Sequence, residues 1–166
     1  MLRMYEEADF PVSDDVKAFR RDCDGASESR AVEDGYVSPE WVSVFEKHKE
    51  VLKPMAQAGD MYSQYSIAVI YMLNLLHSDM ESARVVHEED AKECTRWLLM
   101  SAKQGFLAAL DNLLSVGVGP EADRIRALSK TIPRSPDLDS GDVDLMRKAA
   151  TETMKELYGL AFEGEC

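Results

Sequence analysis

Cysteine is scarce in this chain, basic charge is outweighed, and long apolar runs are missing. Only Cys23, Cys94 and Cys166 are present, an odd and widely spaced set with no CxxC pair. That excludes a disulfide framework and suits reduced thiols in a cytoplasm. No stretch approaches the roughly 20 apolar residues of a membrane span. The opening "MLRMYEEADFPVSDD" carries acids within its first ten residues and no apolar segment of signal-peptide length. A cytoplasmic protein without a cleaved leader is therefore expected. Lys and Arg number 19 against 31 Asp and Glu, a net charge of -12 that repels phosphate and argues against nucleic-acid binding. The same charge suits a basic protein partner, or serves only as a solvated face.

Catalytic signatures are equally sparse. The three histidines, His48, His77 and His87, form no HxxxH or HExxH spacing, so no zinc site of that type is expected. There is no Gly-rich phosphate loop, no GxSxG and no Cys-His constellation. "HEED" at 87–90 reads as acid complementing the start of a helix rather than as a cation site. His48 reads as a hydrogen-bonded core histidine, and Cys94 beside Trp97 as a small core residue. The expectation is a protein that is not an enzyme and uses no cofactor or metal.

What is present is helix, with nothing alternating like a strand. Hydrophobic residues make up 45% of the 166 residues, enough for one domain with a sizeable core. Residues 1–38 offer one short helix around Val16, Phe19 and Arg20, then a Gly/Ser-rich break. Ser38 before Pro39 marks a helix start, and Trp41, Val44, Phe45, His48 and Leu52 fall on one face of that helix. Pro54 should kink or interrupt it. Gly59 supplies a left-handed helix end, and Asp60 can cap the next helix at once. Residues 61–76 are apolar almost all round, which predicts a helix covered on more than one side. "HSDMESARVVHEED" reads as a polar connection, wholly irregular or partly helical, and Asp90 can start the helix that carries Ala91, Cys94, Leu98 and Ala102 and stops at Gly105. An apolar helix over 106–116 follows, then a Gly-Pro turn into a charged helix. Two prolines break the chain before a last helix through Met146, Ala149, Ala150, Thr153, Leu157, Leu160 and Ala161.

The corners at Gly59 and Gly105 lie 46 positions apart and share an order of residues. Ala56 pairs with Ala102, Ser63 with Ala109, Ile67 with Leu113 and Ala68 with Leu114. The series Trp97, Ala102, Gly105, the segment "SQYSIAVIY" from Ser63 to Tyr71 and the loop "VGVGP" resemble the Sel-one-like repeat of the tetratricopeptide superfamily. Ala68 and Leu114 stand where that family prefers Gly, and Gly117 where it prefers Tyr. The 46-residue spacing also exceeds the roughly 34 of ordinary tetratricopeptide units, so an insertion or longer helices must follow Tyr71. The resemblance covers about Val51 to Leu128.

The resemblance implies an all-α fold: antiparallel helix pairs stacked as a short right-handed α-solenoid, about two repeats with flanking helices. One domain over 1–166 is expected, with a weakly structured segment 1–38, a repeat core 39–128 and a capping helix 142–162. It also implies a protein-binding groove, whose concave positions fall on Tyr62, Tyr65, Val69 and Met72 of the first unit and on Ala108, Asp111 and Ser115 of the second. Tyr65, Val69 and Met72 also form a regular stripe of the kind that builds cores, which leaves Tyr62 and Asp111 as the more discriminating positions. Three functions follow in order. The first is a non-enzymatic adaptor binding a protein partner. The second is a bacterial immunity protein that neutralises a secreted toxin, a basic toxin being steered by the acidic surface. The third is a hydrolase or nuclease using carboxylates such as Asp111. If the groove does not bind, the acidic Asp79 to Asp90 connection is the next candidate.

Overall fold

The computed structural model describes residues 12–28, 32–33, 36–75 and 83–129. They form six helices and one minimal hairpin: α1 (Asp14–Glu28), β1 (Val32–Glu33), β2 (Tyr36–Val37), α2 (Pro39–Gln57), α3 (Met61–Leu75), α4 (Ala83–Lys103), α5 (Leu107–Val116) and α6 (Pro120–Ser129). β1 and β2 pair antiparallel over two residues each, Val32 with Val37 and Glu33 with Tyr36, and no strand occurs in the described residues between 61 and 116. The described architecture is otherwise all-helical.

The helices pack largely in sequence order, with α3 against α1, α2 and α4, then α4 against α5 and α5 against α6. α3 is the centre. Its sequence contains no charged residue, and residues 62–70 are all buried. A helix apolar on every side is stable only when it is enclosed on every side.

Both corners are built by the same hydrogen-bond pattern. At the first, the Gly59 N–H donates to the Ala56 carbonyl at 3.1 Å and the Asp60 N–H to the Met55 carbonyl at 3.1 Å. At the second, Gly105 donates to Ala102 at 2.9 Å and Phe106 to Ser101 at 3.4 Å. These paired bonds are the Schellman ending, which satisfies carbonyls that a helix end leaves open and needs a residue of positive φ. Gly59 at φ +107° and Gly105 at φ +91° supply it. The equivalence extends into the flanking helices, where Ala56 and Ala102, Ser63 and Ala109, and Ile67 and Leu113 are all buried.

The corners differ in how the next helix begins. The Asp60 carboxylate accepts from the Ser63 N–H at 2.9 Å and from the Ser63 hydroxyl, capping α3 as its sequence predicts. Phe106 at the N-cap of α5 makes no side-chain capping bond. Its ring instead packs edge-on against Tyr62, with centroids 5.4 Å apart, and against Tyr65 at 5.0 Å. At the far end of α5, the Arg126 guanidinium donates to the Leu114 carbonyl at 2.9 Å and to the Gly117 carbonyl at 2.6 Å, closing α5 with a cation from α6.

Four expectations change. α1 is not a short helix followed by a break but runs 15 residues through Gly25. Ala26 on its far side is buried, and Gly25 lies beside the Trp41 ring of α2 with space enough for a Cβ in ordinary contact at 3.4 Å, so docking of this face carries the helix past Gly25. α2 is not interrupted at Pro54. Pro54 and Glu50, whose carbonyl loses its partner, are both exposed, so water can serve the freed group. Ser38 takes the N-cap position before Pro39, but its side chain makes no capping bond. The connection before Asp90 takes its partly helical alternative: α4 begins at Ala83 rather than at Asp90, so "HEED" lies inside the helix and its first turn holds no acid. Leu76 and the expected helix over 142–162 lie outside the described residues.

Two glycine substitutions separate the two ways a helix junction can fail. Gly105→Val is expected to lower stability by about 1 kcal/mol or more, because a β-branched residue resists positive φ. Gly117 has an ordinary φ of -60°, but an added Cβ would sit 2.4 Å from the Leu113 carbonyl oxygen and 3.1 Å from the Ala122 Cβ. Gly117→Ala should therefore cost about 1–3 kcal/mol through overpacking alone. Urea midpoints equal to wild type in both variants would contradict the junction geometry.

Candidate partner-binding surface

The residues expected to line a groove divide sharply. Tyr62, at 6% exposure, Tyr65, Val69 and Ala108 are buried. Met72 is half-buried, and Asp111 and Ser115 are exposed. Tyr62, expected to stand off the core stripe, belongs to the core because Phe106 at the second corner turns inward onto it and Tyr65 together. Such edge-on aromatic contacts favour burial beyond simple area.

Tyr65 nonetheless reaches the α5 edge. Its hydroxyl oxygen accepts from the Asn112 side-chain amide at 2.9 Å, and the same amide donates to the Ala108 carbonyl at 3.1 Å. Asn112 therefore fixes α5 on α3. The neighbouring Asp111 and Ser115, one turn apart, face outward, with the Ser115 hydroxyl donating to the Asp111 carbonyl at 3.2 Å. Beyond them the chain exposes two apolar side chains, Val116 at 43% and Val118 at 40%. The Val118 N–H donates to the Thr95 hydroxyl at 2.9 Å, which ties this loop to α4. The result is an outward edge of a carboxylate, a hydroxyl and two valines on a braced backbone. Val116, Val118 and Asn112 were not picked from the sequence. The repeated Val-Gly spacing of "VGVGP" is the one visible signal of the two valines, and nothing local marks Asn112.

A second charged area lies where α2, α3 and α4 meet. Lys49 pairs with Glu46 at 2.7 Å and stands 4.9 Å above the Tyr71 ring. Burial alone would lower the Lys49 pKa, but the hydrogen bond its ammonium donates to Glu46 and the surrounding negative charge raise it. Tyr71 is raised by burial, with Lys49 opposing and Glu93, Asp90 and Glu46 adding to the rise. Of the acidic connection Asp79 to Asp90, residues 83–90 belong to α4.

The chemistry open to the described thiols is narrow. Cys23 and Cys94 are both free. Burial, then Asp24 and Asp22, push the Cys23 thiol up to about 12. Burial, then Asp90, push Cys94 up to about 12. Both are protonated at neutral pH and weak as nucleophiles. Among the described residues no three His, Cys, Asp or Glu side chains converge to hold a metal ion, and no helix is long and apolar enough to cross a membrane.

The raised values set a direction for alkaline stability. A folded state that holds a thiol, a phenol or an ammonium in its protonated form binds more protons than the unfolded chain as pH rises. The contribution is complete below the ordinary thiol value of 9.0 and is lost as pH climbs toward about 12. The urea midpoint should fall between about pH 8 and about pH 10.5, and a constant midpoint would contradict the burial of these groups. In a Cys166→Ser variant, iodoacetamide should leave Cys23 and Cys94 unmodified until the chain is denatured. In comparisons with protein-family models, with curated proteins and with solved structures, nothing matched this chain.

Proposed function

We propose that this protein is a non-enzymatic helical-repeat module that binds a protein partner through the outward edge of α5 and the loop after it. The observation that carries the reading is the equivalence of the two corners: the same Schellman bonds at Gly59 and Gly105, followed by the same buried positions in α3 and α5. Repeated helix pairs that share a core leave function to their surfaces. The likeness to the Sel-one-like repeat, with its stacked solenoid arrangement, belongs to this proposal. So does the binding role of Met72, Asp111 and Ser115. Tyr62, Tyr65 and Val69 support the edge from beneath instead of contacting the partner. Val116 and Val118 supply the apolar contact area, rimmed by Asp111 and Ser115.

Charge narrows the partner. With a net charge of -12, the chain attracts a basic surface over long range, so a basic protein is the favoured class. The narrower form of this reading is an immunity protein capping a basic toxin, which a toxin gene beside this one would support. Asp111 has no ion-pair partner among the described residues, so its carboxylate is available to a partner's Lys or Arg.

The test is capture of a partner by the tagged full chain, identified by mass spectrometry and then measured with purified variants. Asp111→Lys should weaken that complex while shifting stability by about 0.5 kcal/mol or less, as exposed positions do. Tyr62→Ala should instead cost about 3 kcal/mol of stability, as loss of a buried aromatic does. Raising salt should slow association, since attraction between exposed charges is screened within about 10 Å at 0.1 M ionic strength. Equal affinity for wild type and Asp111→Lys would move the binding face elsewhere.

A further inference from the structure

α1, α3 and α5 begin alike. The residues before them, Ser13, Asp60 and Phe106, lie 47 and 46 positions apart, matching the 46 that separate the glycine corners. In each case the carbonyl of that residue accepts the first helical bond, from Lys17 at 3.0 Å, Gln64 at 3.0 Å and Leu110 at 3.2 Å. The Ser13 hydroxyl also accepts from the Val16 N–H at 3.2 Å, as the Asp60 carboxylate does from Ser63. Three residues on stand Val16, Ser63 and Ala109, and seven residues on stand Arg20, Ile67 and Leu113; all six are buried. Spacing, first turn and burial therefore recur three times, not twice.

The two ends of this series differ. Every exposed described residue of α1 is charged: Asp14, Asp15, Arg21, Asp24 and Glu28. A polar outer face of this kind closes the end of a stacked helical array. The exposed described residues of α5 are instead one carboxylate, one hydroxyl and a valine. On α3, the side that carries Tyr62 and Tyr65 is covered by α5, whose Phe106 packs edge-on against both rings and whose Asn112 amide donates to the Tyr65 hydroxyl. The same positions of α5 hold Ala108 and Asp111, with Ser115 one turn further. Asp111 and Ser115 are exposed there, and Val116 and Val118 extend the uncovered surface.

We propose that α5 is the open end of an array led by α1, α3 and α5, and that its uncovered side receives a helix of the partner, seated as α5 is seated on α3, with a lysine or arginine against Asp111. This rests on the α5 edge being the binding face and adds what fits there. A helix is the fitting shape because a helix fills the equivalent side of α3, and α5 offers no sheet edge to an extended segment. The basic residue follows from charge: Asp111 has no ion-pair partner among the described residues, and the chain carries a net charge of -12.

The test uses two displayed peptide libraries, one of lactam-stapled helices and one of proline-containing extended peptides, each selected against the full chain. The helical library should yield binders that share a Lys or Arg and lose about tenfold or more in affinity for Asp111→Lys and for Ser115→Arg. Glu50→Lys, the same charge change on exposed α2, should leave affinity nearly unchanged. Binders found only among extended peptides, yet weakened by Asp111→Lys, would keep the edge as the binding face and overturn the helical seat. Selected helices that ignore both α5 variants, or no binders from either library, would overturn seat and edge together. Two other results give the seat to another occupant and overturn the proposal. One is a wild-type dimer in sedimentation that Ser115→Arg dissociates. The other is α5 amide exchange that quickens in Leu157→Asp while α3 exchange stays as in wild type, which assigns the seat to the chain's own C-terminal segment.

Discussion

Everything in this molecule depends on enclosing α3, a helix without a charged residue whose polar groups must be satisfied inside the protein. Burying an amide or hydroxyl without a partner costs more than a made hydrogen bond gains. Gln64 resolves this by joining both corners. Its amide donates to the Ala56 carbonyl at 3.0 Å, and its side-chain carbonyl accepts from the Gln104 amide at 2.9 Å. Ser101, one turn before the second corner, donates its hydroxyl to the Met61 carbonyl at 2.8 Å. The end of α2, the start of α3 and the end of α4 are therefore keyed to one another by bonds that exist in one register only.

That keying explains where function can reside. A groove of the kind the repeat resemblance implies would need Tyr62, Tyr65 and Val69 open, yet enclosing α3 places them in the core. The tyrosines spend their surface on Phe106 and Asn112, and so hold α5 in place. What α5 then presents outward is Asp111, Ser115 and the valine loop, whose backbone is braced by Arg126 on one side and Thr95 on the other. Rigid support of an exposed edge lowers the ordering cost of binding.

The parts of this arrangement that were legible in the sequence are those decided by local chemistry. A glycine that must take positive φ marks a helix end, and Asp60 beside Gly59 marks the next start. The absence of charge over 61–75 announces burial on all sides. The parts that were not legible depend on partners distant in the chain. Gln64 and Gln104 are 40 residues apart, and neither differs locally from an exposed glutamine. Tyr62 reads as surface-directed because the repeat resemblance assigns it a concave position off the apolar stripe, but the inward turn of Phe106 decides its fate. Helix α1 passes Gly25, and α2 passes Pro54, because packing at Ala26 and solvent at Glu50 offset local preferences that would stop a helix in isolation. The early start of α4 at Ala83 left no cap in the sequence to mark it.

The central claim is that both corners and α3 form one cooperative unit, and residue-resolved native-state hydrogen exchange tests it most directly. The amides of Gly59, Asp60, Gly105 and Phe106 should exchange only through the same opening that exposes α3, with matching free energies and the same dependence on denaturant. Corner amides that exchange through a smaller, denaturant-insensitive opening while α3 stays protected would show that the corners are ordinary frayed helix ends, and would contradict the account.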